Sequence, residues 1–285
     1  MMTATTEPSF MFMDTEWQDA LPLLRQTGFF TEEELQDPPV ADRKLTDLVR
    51  RFTTTIGYAD ETGEMKPVGS GTFVRKADGE YGILTAGHVA GALRRAINRI
   101  NHFHVFPGQV HKRLWVPVPC EWNWIHASGE NNQCKKGPDI AWIPMPQETA
   151  GTLKSSLDVV FYNRARRRDE MKCEHYPVGI VSGFVEEISD LGNRTLNHYA
   201  AIMRRPEFTS RDGWDYGEYA LALPCLPDTH EGTSGSAGWN VELALDGSGG
   251  HAEFLDGVVF FEGPPDDRKL FAHGKRSVSR VLGET

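Results

Sequence analysis

Glu231-Gly-Thr-Ser-Gly-Ser-Ala-Gly238 places Ser234 in a glycine-rich turn, with Gly232 and Gly235 close on either side. A serine hydroxyl is a poor nucleophile. It needs a base to take its proton and donors to hold the oxyanion that forms. Glycine permits the sharp turn and the close approach of a substrate carbonyl to the backbone. In such a turn the N–H groups of Gly232 and Ser234 converge and make an oxyanion hole. Gly-x-Ser-Gly alone is a common turn, so the reading depends on a base and an orienting acid elsewhere in the chain.

Both are present upstream. Val68-Gly-Ser-Gly-Thr-Phe-Val74 and Tyr81-Gly-Ile-Leu-Thr-Ala-Gly-His-Val89 read as two strands ending in a histidine. Gly137-Pro-Asp-Ile-Ala-Trp-Ile143 sets Asp139 at the head of another apolar run. These stretches make the chain resemble the chymotrypsin/trypsin-fold serine peptidases over about residues 50–283. Thr85-Ala-Gly-His88 is similar to that family's histidine motif, Asp139-Ile-Ala to its aspartate motif, and Gly232-Thr-Ser-Gly-Ser236 to its nucleophile motif. The order His, Asp, Ser is the family's, at intervals of 51 and 95 residues.

The resemblance implies an all-β fold of two six-stranded Greek-key barrels, with His88 and Asp139 from the first and Ser234 from the second. It implies hydrolysis of a protein or peptide substrate without cofactor or metal, with a triad-retaining but cleft-blocked barrel acting as a regulated or protein-binding module as the alternative. Ser234 attacks, His88 takes and returns the proton, and Asp139 fixes the imidazole tautomer. Each residue has a plainer reading beside this one. His88 can be an ordinary residue after a strand, Asp139 a turn former after Gly-Pro, and Ser236 a rival nucleophile. Asp158 and Asp190 lack the Asp-Ile-Ala context.

Thr233 occupies the position where relatives activated by clipping carry an aspartate. Being uncharged, it cannot pair with a new N-terminal ammonium. Asp228 lies where trypsin-like members place the carboxylate that selects Arg or Lys, although a surface turn explains it equally well. Val258-Val-Phe-Phe-Glu262 resembles the strand that pairs with substrate, which makes Phe260, Phe261 and Glu262 substrate-binding candidates.

Short alternating strands are expected near 50–58, 67–75, 81–86, 103–106, 113–118 and 139–144, then 157–162, 177–187, 198–205, 218–222, 236–243 and 254–262. The expected division is a helical extension over 1–47, a first barrel over 48–150 and a second barrel with a C-terminal helix over 151–285. Within the extension, Asp14–Arg25 suggests an amphipathic helix and Thr31 caps a second one. Asp37-Pro-Pro-Val reads as a separator. Trp17, Leu21, Leu24, Phe29 and Phe30 either pack on the barrel or serve a partner.

Composition adds bounds. At 39% hydrophobic and 25% charged the chain is an ordinary globular protein, and its net charge of −10 repels a phosphate backbone, so nucleic acid is not an expected partner. No apolar run approaches a membrane span, and the opening residues do not read as a secretory signal. Cys120, Cys134, Cys173 and Cys225 show no pairing pattern, so free thiols in the cytoplasm are expected. His102, His104 and His111 are read as a solvated group with zinc binding as the minor alternative. The basic run Arg164-Ala-Arg-Arg-Arg168 is read as a solvated loop, with self-cleavage or an acidic partner as alternatives.

Overall fold

A computed structural model of the chain describes residues 14–97, 102–107, 115–119, 125–128, 138–165, 173–188, 194–203, 206–220, 233–262 and 269–284. Three helices open it: α1 (Asp14–Thr27), α2 (Glu32–Gln36) and α3 (Pro38–Arg50). Thr31 caps α2 as its sequence predicts. Its hydroxyl accepts from the Glu34 N–H at 3.2 Å, and the Glu34 carboxylate accepts from the Thr31 N–H at 2.8 Å. The Pro-Pro pair does not separate the extension from the sheets. Proline lacks the N–H that a first helical turn leaves unpaired anyway, so Pro38 and Pro39 begin α3.

The first sheet contains β1 (Thr53–Ala59), β2 (Met65–Arg75), β3 (Tyr81–Thr85), β4 (His102–Pro107), β5 (Val116–Pro119), β6 (Ile125–Ser128) and β7 (Asp139–Met145). A helix, α4 (Gly87–Ala96), follows β3, and α5 (Gln147–Leu157) follows β7. The two-residue β8 (Tyr162–Asn163) runs parallel to β2. The second sheet contains β9 (His175–Ile188), β10 (Arg194–Met203), β11 (Thr209–Arg211), β12 (Trp214–Ala220), β13 (Ala237–Ala244), β14 (His251–Glu262) and β15 (Lys269–Gly274). Helix α6 (Lys275–Leu282) ends the described chain.

The strand order of the first sheet is β5-β4-β1-β2-β3-β7-β6, and that of the second is β10-β9-β13-β14-β15-β12-β11. With β5, β8 and β11 set aside, numbering the remaining six strands of each half in chain order gives one shared cyclic sequence, first-second-third-sixth-fifth-fourth. The described pairings leave the first ring open between its fifth and fourth strands and the second between its second and third. This is Greek-key winding, used twice. The all-β architecture expected from the sequence is therefore present. Strands β6, β11 and β15 lie where no strand is expected, only Tyr162 of the strand expected near 157–162 is in a strand (β8), and α5 spans the expected boundary between the two barrels.

The core has two parts. One lies within the first sheet and includes Ile56, Phe73, Ile83, Phe103, Val105 and Ile143. The other joins the helical extension to the second sheet, with Trp17, Leu24, Leu45 and Val49 packed among Ile180, Trp239, Val241 and Leu255. Strand β7 serves both, sending Ile140 and Trp142 one way and Ala141, Ile143 and Met145 the other. That explains its unbroken apolar sequence. The extension is thus core material: Trp17, Leu24 and Phe30 are buried. Among the described residues, no helix is long and apolar enough to cross a membrane.

Candidate active site

The site forms where β3 hands over to α4. Ala86, at the N-cap of α4, provides no side-chain cap, so the first N–H groups of the helix need acceptors from elsewhere. Antiparallel pairing of Thr85 with Ala141 brings the start of β7 alongside. Asp139 Oδ1 accepts the His88 backbone N–H at 2.6 Å, and Oδ2 meets His88 Nδ1 at 2.7 Å. A carboxylate at a helix N-terminus also faces the favourable end of the helix dipole. Asp139 is only 1% exposed, whereas the His88 side chain is 32% exposed. With Nδ1 engaged by the carboxylate, Nε2 is the ring nitrogen left to accept a proton.

Behind Asp139 stands a residue that sequence reasoning missed. His273 Nε2 accepts the Asp139 backbone N–H at 2.8 Å, and His273 Nδ1 lies 3.0 Å from the Asp215 carbonyl. Burial lowers the His273 pKa to about 4. Nothing local in Phe271-Ala-His-Gly274 signals this role, because the contact spans 134 residues of chain.

Ser234 arrives from the second sheet on a tight turn. The Ser236 N–H donates to the Thr233 carbonyl at 2.9 Å, and Gly235 has φ +91°, the positive value that a type II turn requires at its third position. Backbone bonds anchor the turn on both sides. Gly235 N–H donates to Val259 O at 2.7 Å, and Ser70 N–H of β2 donates to Ser234 O at 2.8 Å. Thr85, three residues before His88, donates its hydroxyl to Ser70 O at 2.6 Å. Gly69 fills the narrow space between the Ser234 carbonyl and Val89, since a Cβ there would lie 2.8 Å from that oxygen and 2.6 Å from Val89 Cγ2. The turn is therefore seated on the strand that pairs with the one leading to His88. Ser234 is partly exposed while Ser236 is fully buried, so only the former can meet a substrate without rearrangement. Among the described residues, no hydrogen bond joins the Ser234 hydroxyl to the His88 ring.

Other expected site residues fare differently. Gly232 and Asp228 lie outside the described residues, as do the side chains of Phe261 and Glu262. The Phe260 ring is buried. A register shift between Val259 and Phe261 in the β14–β15 pairing turns the ring inward, where it stacks on His273 with centroids 4.4 Å apart.

The His102 and His104 rings meet edge to face at 5.0 Å. His111 lies outside the described residues, and among those residues no three metal-ligating side chains gather. Arg164 is not a solvated cation: it pairs with Glu284 at 2.9 Å and with the Ser279 hydroxyl at 3.1 Å. The rest of that basic run, Arg166–Arg168, is outside the described residues. A serine–histidine contact is present elsewhere, Ser182 Oγ to His198 Nε2 at 3.1 Å, and it continues to Thr53 Oγ1 at 2.7 Å. Ser182 is 0% exposed, and desolvation holds the His198 pKa well below its ordinary value. That network fastens β1 to β9, with Thr53 and Ser182 both buried.

No family model matches the chain, and no curated protein matches it. Among solved structures, the chain is similar to one described as the crystal structure of a thermostable serine protease AL20 from an extremophilic microorganism. The two share 11% identity over 82% of this chain and 96% of that chain, with a TM-score of 0.47.

Proposed function

We propose that the chain is a serine endopeptidase in which Ser234, His88 and Asp139 cleave peptide bonds through an acyl-enzyme. The observation that carries this reading is the double hydrogen bond from Asp139 to residue 88, with Ser234 on an accessible turn seated beside the same strands. Ser234 Oγ attacks the carbonyl carbon as its proton passes to His88 Nε2. The imidazolium then protonates the leaving amine, and the acyl group remains on Ser234. Water repeats the sequence and frees the acid, returning the proton to His88 and then to Ser234. Asp139 keeps the proton on Nδ1 throughout and stabilises the imidazolium. The Ser–His hydrogen bond is the one this reading requires to close with substrate, as such bonds commonly do.

Within the same reading, the N–H groups of Gly232 and Ser234 stabilise the oxyanion. A preference for Arg or Lys is part of this reading, resting on the family resemblance at Asp228 and Glu262 alone. The free thiol of Cys173 accords with the cytoplasm as the working compartment.

A fluorophosphonate probe tests the core of the proposal, because it labels only an activated serine open to solvent. Labelling at Ser234, abolished in Ser234→Ala, is expected, together with cleavage in a peptide library that the same variant loses. A Ser234→Ala protein that cleaves as well as the wild type would end the reading.

A further inference from the structure

We propose that His273 is a positioning residue for Asp139, acting through the Asp139 backbone N–H rather than through its carboxylate. The inference rests on the reading of Asp139 as the orienting acid and extends it to the opposite sheet. Asp139 is the first residue of β7 and pairs across to Ser128 of β6. Its N–H finds an acceptor in His273 Nε2 on β15, 2.8 Å away. One hydrogen bond thus runs from the sheet that carries Ser234 to the backbone that carries the acid.

Both ring nitrogens have a defined task. For Nε2 to accept, the ring proton must reside on Nδ1, which donates to the Asp215 carbonyl at 3.0 Å. Asp215 is itself held firmly. Its carboxylate accepts from the Arg276 N–H at 2.9 Å and from the Ser210 hydroxyl at 2.5 Å, and its own N–H donates to Ser277 Oγ at 2.7 Å. Phe260 stacks on one side of the His273 ring at 4.4 Å, and the Tyr216 ring centroid lies at 5.0 Å. The ring is 0% exposed. A supported line therefore leads from the start of α6 through Asp215 and His273 to Asp139.

The charged groups facing the ring are the carboxylates of Asp139 on β7 and Asp215 on β12. Burial outweighs their attraction for a proton and leaves the imidazole neutral near pH 7. A protonated ring would set N–H against N–H and release the backbone of Asp139. Because its two carboxylate oxygens must meet two separate atoms of residue 88, a small shift of that backbone breaks the arrangement. Misplacement on the order of 1 Å is enough to slow a positioned reaction severely.

Two substitutions separate this role from simple core packing. In His273→Gln the side-chain oxygen reaches the place of Nε2 and still accepts from Asp139. In His273→Asn the amide reaches only the place of Nδ1, so the bond to Asp215 survives and the one to Asp139 is lost. The measurements are the rate of Ser234 labelling by a fluorophosphonate, the KM for a cleaved peptide, the proton NMR signal of His88 Nδ1–H, and the thermal melting of each variant.

His273→Asn is expected to label about 10-fold or more slowly with KM unchanged, and to shift or broaden the His88 Nδ1–H resonance. His273→Gln is expected to stay within about 3-fold of wild type and to keep that resonance. Equal losses in both variants that simply follow their melting temperatures would overturn the role. So would a His273→Asn protein with wild-type labelling and an unmoved resonance. If the wild-type protein does not label, the peptidase reading fails, and the His88 resonance still decides whether His273 positions Asp139.

Discussion

Asp139 holds residue 88 at two atoms, taking the backbone N–H at 2.6 Å on Oδ1 and the ring Nδ1 at 2.7 Å on Oδ2. The same carboxylate therefore helps to cap α4 and orients the imidazole that begins it. An Asp139→Asn substitution can keep the first bond and not the second, because its amide N–H₂ would confront Nδ1–H or force the other tautomer. The expected result is a folded protein in which the proposed peptidase activity falls roughly a thousand- to ten-thousand-fold. Steady-state kinetics beside a circular dichroism spectrum checks both halves of that statement.

The turn bearing Ser234 tolerates only glycine at its third position. Gly235 has φ +91°, and a Cβ there would lie 2.0 Å from Ser70 O and 2.3 Å from Thr85 Oγ1. Gly235→Ala should cost about 3 kcal/mol or more, and it should lift Ser234 off β2. Urea unfolding reads the first effect and phosphonate labelling the second. Wild-type values in both would show that the turn yields more easily than its contacts indicate.

The helical extension carries part of the core. Leu45 of α3 is 1% exposed and belongs to the cluster that includes Trp239 and Leu255 of the second sheet. Leu45→Ala should lower stability by about 2–5 kcal/mol, the range for truncating a buried leucine. An appendage lying loosely on the sheet would change by about 0.5 kcal/mol or less. Denaturant titration distinguishes the two.

Asp42, also on α3, is 2% exposed, and its Oδ2 has no hydrogen-bond partner among the described residues. Burial raises its carboxyl from the ordinary 3.8 to about 7. Between those values the unfolded chain has released this proton while the folded chain keeps it, so this group makes stability fall as pH rises. The deficit, on the order of 4 kcal/mol, is complete above about pH 7. Asp42→Asn should therefore match wild type near pH 4 and gain a growing advantage up to neutrality. A stability difference that is the same at every pH would contradict the assignment.

Much of the fold could be read from local pattern. Alternation and turn residues marked most strands of both sheets, and Thr31 marked the start of α2. Misreadings came where local cues are ambiguous. The residues of α5 bury only Ala150 and Leu153, too weak a stripe to separate a helix from a linker. The prolines of α3 signal a break and a helix start equally well.

What the sequence determined by itself was the local setting of three side chains: His88 after a strand, Asp139 heading another, Ser234 in a turn only glycine permits. Short-range stereochemistry imposes those settings. The tertiary structure decided which atoms meet. Register between β3 and β7 sets Asp139 against residue 88, and contact between the two sheets sets His273 against Asp139. Neither relation has a local signature, because each depends on where strands far apart in the chain come to rest against one another.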